Sequence, residues 1–344
     1  MARYPEYEKK AGMKKWILPV LIALLVVCIV IAVVFINPFK KSNTGGAAGG
    51  KASAAGGTNS LLPASGAGGS AGQNPAEPNT SILSQVTSSA NPMADKLIAE
   101  ATAAVNAQPP LVIEARQKLN DVLSLPMTAE QQKLVKDQMA LLADKWLFSK
   151  TIFAEDSLCG SYKVKSGDRL ALIAQENRIP YEILLQINGI PKPEALQAGA
   201  TIKIVKGPFR VKVHRSTFTL ELYLQDTFVR SFKIGIGKTG RETPKGLWIV
   251  KAGGKMIKPR WTDPDTNKTY ESDDPDYPLG SRWIALEGVE GDAKGREGFA
   301  IHGTKVPEEV GAATSRGCIR MYNGEVILMY NALVPTFSKV EVVD

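Results

Sequence analysis

The sequence predicts a mostly β C-terminal domain, a β-sandwich or partly closed barrel, preceded by a small βααβ module, a helical spacer and one transmembrane helix. Three observations lead to this prediction. From Gly207 onward, short segments of alternating apolar and polar residues are separated by Gly, Pro, Asn and Asp, a pattern typical of strands joined by turns. Residues 161–205 read as strand, helix, helix, strand. Residues 16–36 form an uninterrupted apolar run.

The apolar run predicts a membrane anchor. Its twenty-one residues would form a helix roughly 31 Å long, enough to cross a bilayer core. Five Lys and Arg residues precede the run, and only Lys40 and Lys41 follow it closely. The positive-inside rule therefore predicts a cytoplasmic N-terminus and an extracytoplasmic remainder. The alternative is a cleaved signal peptide, but the run is long for one and no A-x-A site follows directly.

The charge distribution argues against nucleic-acid binding. The net charge is +8, and residues 1–41, with seven basic and two acidic residues, contribute +5 of it. Most of the basic excess therefore lies at the N-terminus and not on a folded domain.

Residues 42–80 are rich in Gly, Ala and Ser and are expected to be a flexible tether. We divide the chain into a cytoplasmic tail (1–15), a signal anchor (16–36), a linker (37–90), a helical spacer (91–156), the βααβ module (161–205) and the C-terminal domain (208–344).

The helical spacer is predicted from caps and periodicity. Asn91 followed by Pro92 is a helix start, with an apolar face expected at Met93, Leu97, Ala101, Ala104 and Val105. A second helix is expected over residues 111–123, and a capping box of Thr128 with Gln131 predicts a third, to about Lys150. The partner of this spacer is open.

The βααβ module resembles a LysM domain. The resemblance rests on the opening YKVKSGDRL, the turn INGI and the ending LQAGATIKI, in which residues 166–168 are expected to form a turn that also caps the first helix. It implies binding to glycan that contains N-acetylglucosamine, such as the glycan strands of peptidoglycan.

Cysteine and histidine chemistry is concentrated in two short motifs of the C-terminal domain. These are IHGT at residues 301–304 and SRGCIR at residues 315–320. Cys318 is a candidate nucleophile and His302 its base. Arg316 and Arg320 are expected to favour the thiolate and to bind a substrate carboxylate. A Gly-Cys turn also offers backbone N–H groups to an oxyanion, so the motifs indicate acyl transfer through a thioester. A disulfide between Cys159 and Cys318 is the competing interpretation.

Residues 209–343 closely resemble the L,D-transpeptidase catalytic domain of the YkuD type. The H-G-T and S-[HR]-G-C-[IV]-R motifs carry the resemblance, with support from residues 240–248 (GRETPKGLW) and 277–284 (YPLGSRWI); Arg316 stands where His is more usual. The resemblance implies that the Gly303 carbonyl orients His302 and that the N–H groups of Gly317 and Cys318 hold the oxyanion. The substrate-binding residues expected beside the two arginines are Ser315, Thr304, Trp261 and Tyr277.

The reaction implied is attack of Cys318 on a tetrapeptide stem, release of D-alanine, and a 3→3 cross-link to a second stem. Three alternatives stay open: hydrolysis by water, transfer to a protein amine, and a non-catalytic wall-binding scaffold. No metal, nucleotide or other cofactor is expected. The long loop between Gly253 and Arg282 is predicted to cap the substrate groove, so that shortening it should raise the substrate KM or abolish turnover.

Overall fold

The computed structural model describes residues 81–85 and 91–344. The predicted tail and anchor, and most of the predicted linker, lie outside these residues. The end of that linker is folded: residues Ile82–Gln85 form a 3-10 turn, and the buried Ser81 hydroxyl donates to the Gln138 side chain over 3.3 Å. In the part of the chain that the structure describes, every helix is too short or too polar to cross a membrane.

Three helices form the N-terminal helical segment: α1 (Pro92–Asn106), α2 (Val112–Val122) and α3 (Ala129–Trp146). The two caps predicted for this segment are confirmed, because the Asn91 side chain accepts from the first turn of α1, and Thr128 and Gln131 form the capping box of α3. The predicted buried face of α1 was shifted by one residue at its start. Ala94 and Ile98 are buried instead of Met93 and Leu97, since seven residues make almost two turns and place them beneath Ala101 and Val105.

The βααβ module contains β1 (Cys159–Lys163), α4 (Leu170–Glu176), α5 (Tyr181–Asn188) and β2 (Thr201–Val205), and its strands pair antiparallel. The expected capping role of residues 166–168 is wrong. Asp168 instead accepts from the Tyr162 hydroxyl at 2.9 Å and from the Lys165 N–H at 2.7 Å, and no side chain caps α4. Asp168 Oδ2 accepts both bonds, so this carboxylate closes the turn before the helix and does not cap it.

The C-terminal domain is mostly β, as predicted. Its elements are β3 (Phe209–His214), β4 (Thr219–Leu224), β5 (Thr227–Lys233), β6 (Ile236–Gly237), β7 (Gly246–Met256), β8 (Trp261–Thr262), β9 (Thr269–Tyr270), β10 (Trp283–Glu290), β11 (Phe299–His302), β12 (Ala313–Ser315), β13 (Ile319–Arg320), α6 (Asn323–Ala332) and β14 (Lys339–Val343). Eight of the strands form one mixed sheet in the order β13-β11-β10-β7-β14-β3-β4-β5. This is a half-barrel sheet rather than a sandwich of two large sheets.

The three segments share one continuous hydrophobic core. Helix α3 packs on the edge strand β5, where Arg230 contacts Asp144 at 2.6 Å. Lys136 of the same helix contacts Glu221 of the neighbouring strand β4, also at 2.6 Å. The buried Lys203 of β2 donates to the carbonyl oxygens of Trp146, the last residue of α3, and of Ser149 and Thr151 just after it. The spacer therefore has partners within the chain, namely the module and the sheet.

Candidate active site

Strand pairing brings the two sequence motifs together. β11 and β13 run parallel, and their register places Ile301 beside Ile319 and His302 beside Arg320. His302 ends one strand, and Cys318 immediately precedes the other. The sixteen-residue separation in sequence is thus closed by a two-residue strand pair at one edge of the large sheet.

The turn before Cys318 is fixed by three hydrogen bonds and one glycine. Ser315 Oγ accepts from the Gly317 N–H at 3.0 Å and donates to the Cys318 carbonyl at 2.7 Å, while Thr243 Oγ1 donates to the Gly317 carbonyl at 2.8 Å. Gly317 has φ +113°, and a Cβ there would lie 2.5 Å from the ring of Phe299. Only glycine fits this backbone without strain, so the nucleophile is held on a rigid turn.

The bond from Gly317 to Ser315 changes the expected oxyanion site. The Gly317 N–H, assigned to the oxyanion from sequence, already has an acceptor within the turn. The Cys318 N–H has no acceptor among residues 81–85 and 91–344. Cys318 is therefore the better candidate donor, and Ser315 holds the turn rather than the substrate.

His302 is buried and its Nδ1 faces a backbone carbonyl oxygen. His302 is only 3% exposed, and its Nδ1 donates to the Gly303 carbonyl at 2.6 Å. A carbonyl oxygen only accepts, so Nδ1 carries the proton and Nε2 of the neutral ring is the basic nitrogen. Trp283, its cross-strand neighbour, stacks on the imidazole with ring centroids 5.5 Å apart and planes 20° apart.

Burial sets the charge state of both reacting groups. Burial lowers the pKa of His302 to about 4, against the hydrogen bonds to Gly303 and Leu279. Burial likewise raises the pKa of Cys318, although a backbone hydrogen bond from Ala300 and the charges of Arg320 and Arg316 act in the opposite direction. The expected thiolate-favouring effect of the arginines is present but is outweighed. At neutral pH the site holds a neutral thiol and a neutral imidazole.

The predicted substrate-binding residues are mostly engaged with the protein itself. Arg316 binds Asp263 and Asp265, Arg320 binds Glu309 at 2.7 Å, and the Thr304 hydroxyl donates to the same Glu309 at 2.9 Å. The free carboxylate receptors expected from sequence are thus neutralised by neighbouring acids.

Two aromatic residues were also predicted to contact substrate. Tyr277 is buried and its hydroxyl donates to the Pro259 carbonyl at 2.6 Å, so it supports the loop from inside. Trp261 stacks with Tyr270 across the β8–β9 pair, with centroids 6.0 Å apart.

Three residues of the site were not predicted: Thr243, Trp283 and Asn323. Thr243 and Trp283 lie within motif stretches whose individual roles were not assigned. Asn323 accepts from the Ser281 N–H and donates to the Thr304 carbonyl, both at 2.9 Å, and so ties the segments on either side of His302. Its partners are 42 and 19 residues away in sequence, and no local signal indicates them.

Both cysteines of the described residues are free thiols. Cys159 is buried in β1, and burial together with the neighbouring Asp156 raises its pKa to about 12. The alternative Cys159–Cys318 disulfide is not formed. Over residues 81–85 and 91–344, no group of three or more His, Cys, Asp or Glu side chains is arranged to hold a metal ion.

Comparison with known proteins bears on these motifs. Residues 208–342 match the model of the L,D-transpeptidase catalytic domain, YkuD, and residues 162–205 match the LysM domain. The L,D-transpeptidase-family protein YkuD of Bacillus licheniformis is 30% identical over 188 residues, which cover 53% of this chain and 97% of that protein. The chain belongs to the L,D-transpeptidase family. Its relative YkuD of Bacillus subtilis is 30% identical over 190 residues, 98% of its length.

Among solved structures, this L,D-transpeptidase is similar to one from Mycobacterium tuberculosis, with a TM-score of 0.31 and 15% identity. The similarity covers 43% of this chain and 64% of that chain. Family membership makes the protein a cysteine-dependent acyltransferase, as predicted from the motifs. The LysM match supports the predicted wall-binding module. The predicted membrane anchor lies in residues 16–36, outside the described part, and stays a prediction.

Proposed function

We propose that this L,D-transpeptidase forms 3→3 cross-links between peptidoglycan stem peptides through a thioester on Cys318. The observation that supports the proposal most directly is the β11–β13 register, which places the buried His302 beside the turn that carries Cys318. A nucleophile, an oriented base and an unoccupied backbone N–H are then present on one rigid edge of the sheet.

The first half-reaction is acylation of the enzyme. Cys318 Sγ attacks the carbonyl carbon of the third stem residue and forms the C–S bond, while the thiol proton moves to His302 Nε2. Because burial favours the neutral thiol, His302 must take up this proton in the course of acylation. The Cys318 N–H receives the developing oxyanion. The bond to D-alanine then breaks, and His302 returns the proton to the departing amine.

The second half-reaction resolves the thioester. The side-chain amine of a second stem attacks the same carbonyl carbon and loses a proton to His302. The new C–N bond forms, the C–S bond breaks, and His302 reprotonates the Cys318 sulfur. Water in place of the amine would give a carboxypeptidase product, and a protein amine would give a wall-tethered protein. No cofactor enters either half-reaction.

The proposed setting is the outer face of the cytoplasmic membrane. The proposal of a cytoplasmic N-terminus, with residues from about 37 onward outside, is supported by the basic residues before the apolar run at 16–36. In that arrangement the LysM domain binds glycan strands and raises the local concentration of stem peptides near Cys318.

Mass spectrometry of the purified chain mixed with a disaccharide-tetrapeptide tests this function. We expect an acyl-enzyme, or a cross-linked dimer lacking one D-alanine, with the wild type and with a Cys159→Ala control, whose buried thiol plays no part. Cys318→Ala should give neither, and His302→Gln should slow acylation by about 10²- to 10⁴-fold. A tripeptide product alone would assign hydrolysis. Bound substrate without adduct or product in the wild type would leave a non-catalytic wall-binding scaffold.

A further inference from the structure

Arg316, the residue two positions before Cys318, is bound on two sides by one hairpin. Its Nε donates to Asp265 at 2.7 Å, and its NH2 group lies 3.0 and 3.2 Å from the two carboxylate oxygens of Asp263. Both acids lie in the turn of the 261–270 hairpin, which is formed by β8 and β9. The hairpin belongs to the connection between β7 and β10, which begins after Met256 because β7 includes Gly253, where the loop was predicted to start. Arg241, from the loop that contains Thr243, contacts Asp265 as well, at 3.3 Å.

The acidic turn is built to present these carboxylates. Asp263 Oδ1 accepts from the N–H groups of Asp265 and Thr266, at 2.8 and 3.2 Å, and the Asp263 carbonyl accepts from Asn267. The Asp263 side chain is only 16% exposed. Although burial favours the neutral acid, these N–H bonds and Arg316 hold the pKa of Asp263 below its usual range. Both partners of the ion pair are therefore charged at neutral pH.

Arg316 could bind a substrate carboxylate or hold the hairpin in place, and the two roles require different contacts. A receptor for a substrate carboxylate needs a guanidinium edge that faces the substrate, whereas here the edge formed by Nε and NH2 of Arg316 faces the two acids of the hairpin. An arginine that is bidentate to fixed carboxylates instead sets the position of the segment that carries them. In this chain the segment is the hairpin, and the other end of the contact is the rigid turn of Cys318.

We propose that Arg316 is a positioning residue: an ion-pair latch that holds the 261–270 hairpin against the nucleophile turn as a fixed wall of the donor site. The latch rests on the proposed function of Cys318 as the acylated residue. In this proposal Arg316 holds the hairpin in place and does not bind a substrate carboxylate. The donor stem then meets a preformed wall, and loss of the latch weakens donor binding more than it slows the acylation of bound donor.

Steady-state acylation kinetics of the full chain distinguish the two roles. The variants are Arg316→Gln, the double change Asp263→Asn with Asp265→Asn, and all three together. Asparagine keeps the turn because its side-chain oxygen still accepts the two N–H groups. We expect Arg316→Gln and the Asp→Asn pair each to raise the donor KM by about three- to tenfold, with a smaller change in kcat, and the triple variant to be no worse than either. Lys133→Gln, which removes an exposed pair on α3, is the matched control.

The pH profile separates the latch from simple charge effects. Removing Arg316 removes a positive charge near Cys318, so the part of the pH profile that reports the pKa of the Cys318 thiol should move to higher pH. Removing the two acids should move it to lower pH. A common rise in KM with opposite pH shifts therefore identifies the latch. If the acid variants lower KM or leave it unchanged while Arg316→Gln raises it, Arg316 is a carboxylate receptor and the proposal fails.

Amide hydrogen exchange gives a second measurement that does not depend on turnover. Residues 261–270 should exchange faster in Arg316→Gln and in the Asp→Asn pair, with no change in the exchange of β3 and β4. Unchanged exchange in the hairpin would overturn the latch even if acylation occurs. A wild type that never acylates, with faster hairpin exchange in the variants, would instead count against the proposed function and leave the latch standing.

Discussion

At the scale of single residues, His302 shows how much its surroundings decide its chemistry. Trp283 stacks on the ring and the Gly303 carbonyl binds it, so the imidazole is buried and oriented. Its lowered pKa keeps it uncharged at neutral pH. Cys159 and Cys318 form a comparable contrast. Both thiols have raised pKa values, yet only Cys318 is partly accessible and lies on the turn beside the base.

Protonation of His302 should make the stability of the protein depend on pH. The pKa is about 4 in the folded protein, below the usual 6.5. Folding thus favours the neutral imidazole, and the resulting contribution to the free energy of unfolding is complete above about pH 6.5. It is lost as pH falls from 6.5 toward 4, because the unfolded chain takes up the proton first. In His302→Gln, the free energy of unfolding should depend less steeply on pH than in the wild type. Urea unfolding between pH 4 and 7 measures this. Parallel curves for both proteins would contradict the assigned pKa.

At the scale of elements, helix α6 joins the site to the core. Its first residue, Asn323, bridges the loops before and after β10 and β11, while Val326 and Met329 are buried. The same helix carries Glu325, in which Oε2 has no hydrogen-bond partner in the described part of the chain. Burial raises the pKa of Glu325 to about 7, against a hydrogen bond from the Tyr322 backbone.

Replacing Glu325 should stabilise the protein at alkaline pH. The folded pKa of about 7 lies above the usual 4.5, so folding favours the protonated acid. This contribution is complete below pH 4.5 and is lost as pH rises through 7. Glu325→Gln keeps an acceptor for Tyr322 without the charge, and its Tm should exceed that of the wild type at pH 8 but not at pH 4. Glu308→Gln, on an exposed turn, serves as the control. An equal change in Tm at both pH values would refute the argument.

At the scale of the whole described molecule, the helical segment acts as a connector rather than a spacer. Only residues 206–208 separate β2 from β3, and helix α3 contacts both the LysM domain and the sheet. Arg116 of α2 and Asp156, both buried and 2.8 Å apart, add a second link just before β1. The glycan-binding module therefore has a fixed position beside the catalytic domain.

Lys203 is the contact that makes this arrangement most testable. Its ammonium group donates to the carbonyl oxygen of Trp146, the last residue of α3, and to those of Ser149 and Thr151 in the segment that follows. These bonds offset the cost of burial, which lowers the pKa of Lys203. Lys203→Met keeps the volume but leaves those oxygens buried without a donor. We expect a loss of about 2–4 kcal/mol in the free energy of unfolding, and an earlier, separate transition of the LysM domain. Lys163→Met, an exposed lysine on β1, should behave as the wild type. A single transition at unchanged midpoint would show that the docking contributes nothing.

Much of the fold and the core of the site followed from local patterns. The caps at Asn91 and Thr128 and the alternating strands depend on residues within a few positions of one another, so sequence spacing predicts them. The pairing of Cys318 with His302 was also predictable, because a glycine turn, a base and motif spacing are written in two short segments.

The sequence by itself therefore determined the strands, the helix caps at Asn91 and Thr128, the motif chemistry and the family. Only the tertiary structure decided which hydrogen bonds those groups make. Arg316 meets acids that are 51 and 53 residues away, Asn323 bridges two loops, and Ser315 takes the N–H of Gly317 that had been assigned to the oxyanion. Tertiary structure also set the charges, since burial outweighs the arginines at Cys318 and keeps His302 neutral. Desolvation and distant partners depend on how the whole chain packs, and no local pattern encodes them.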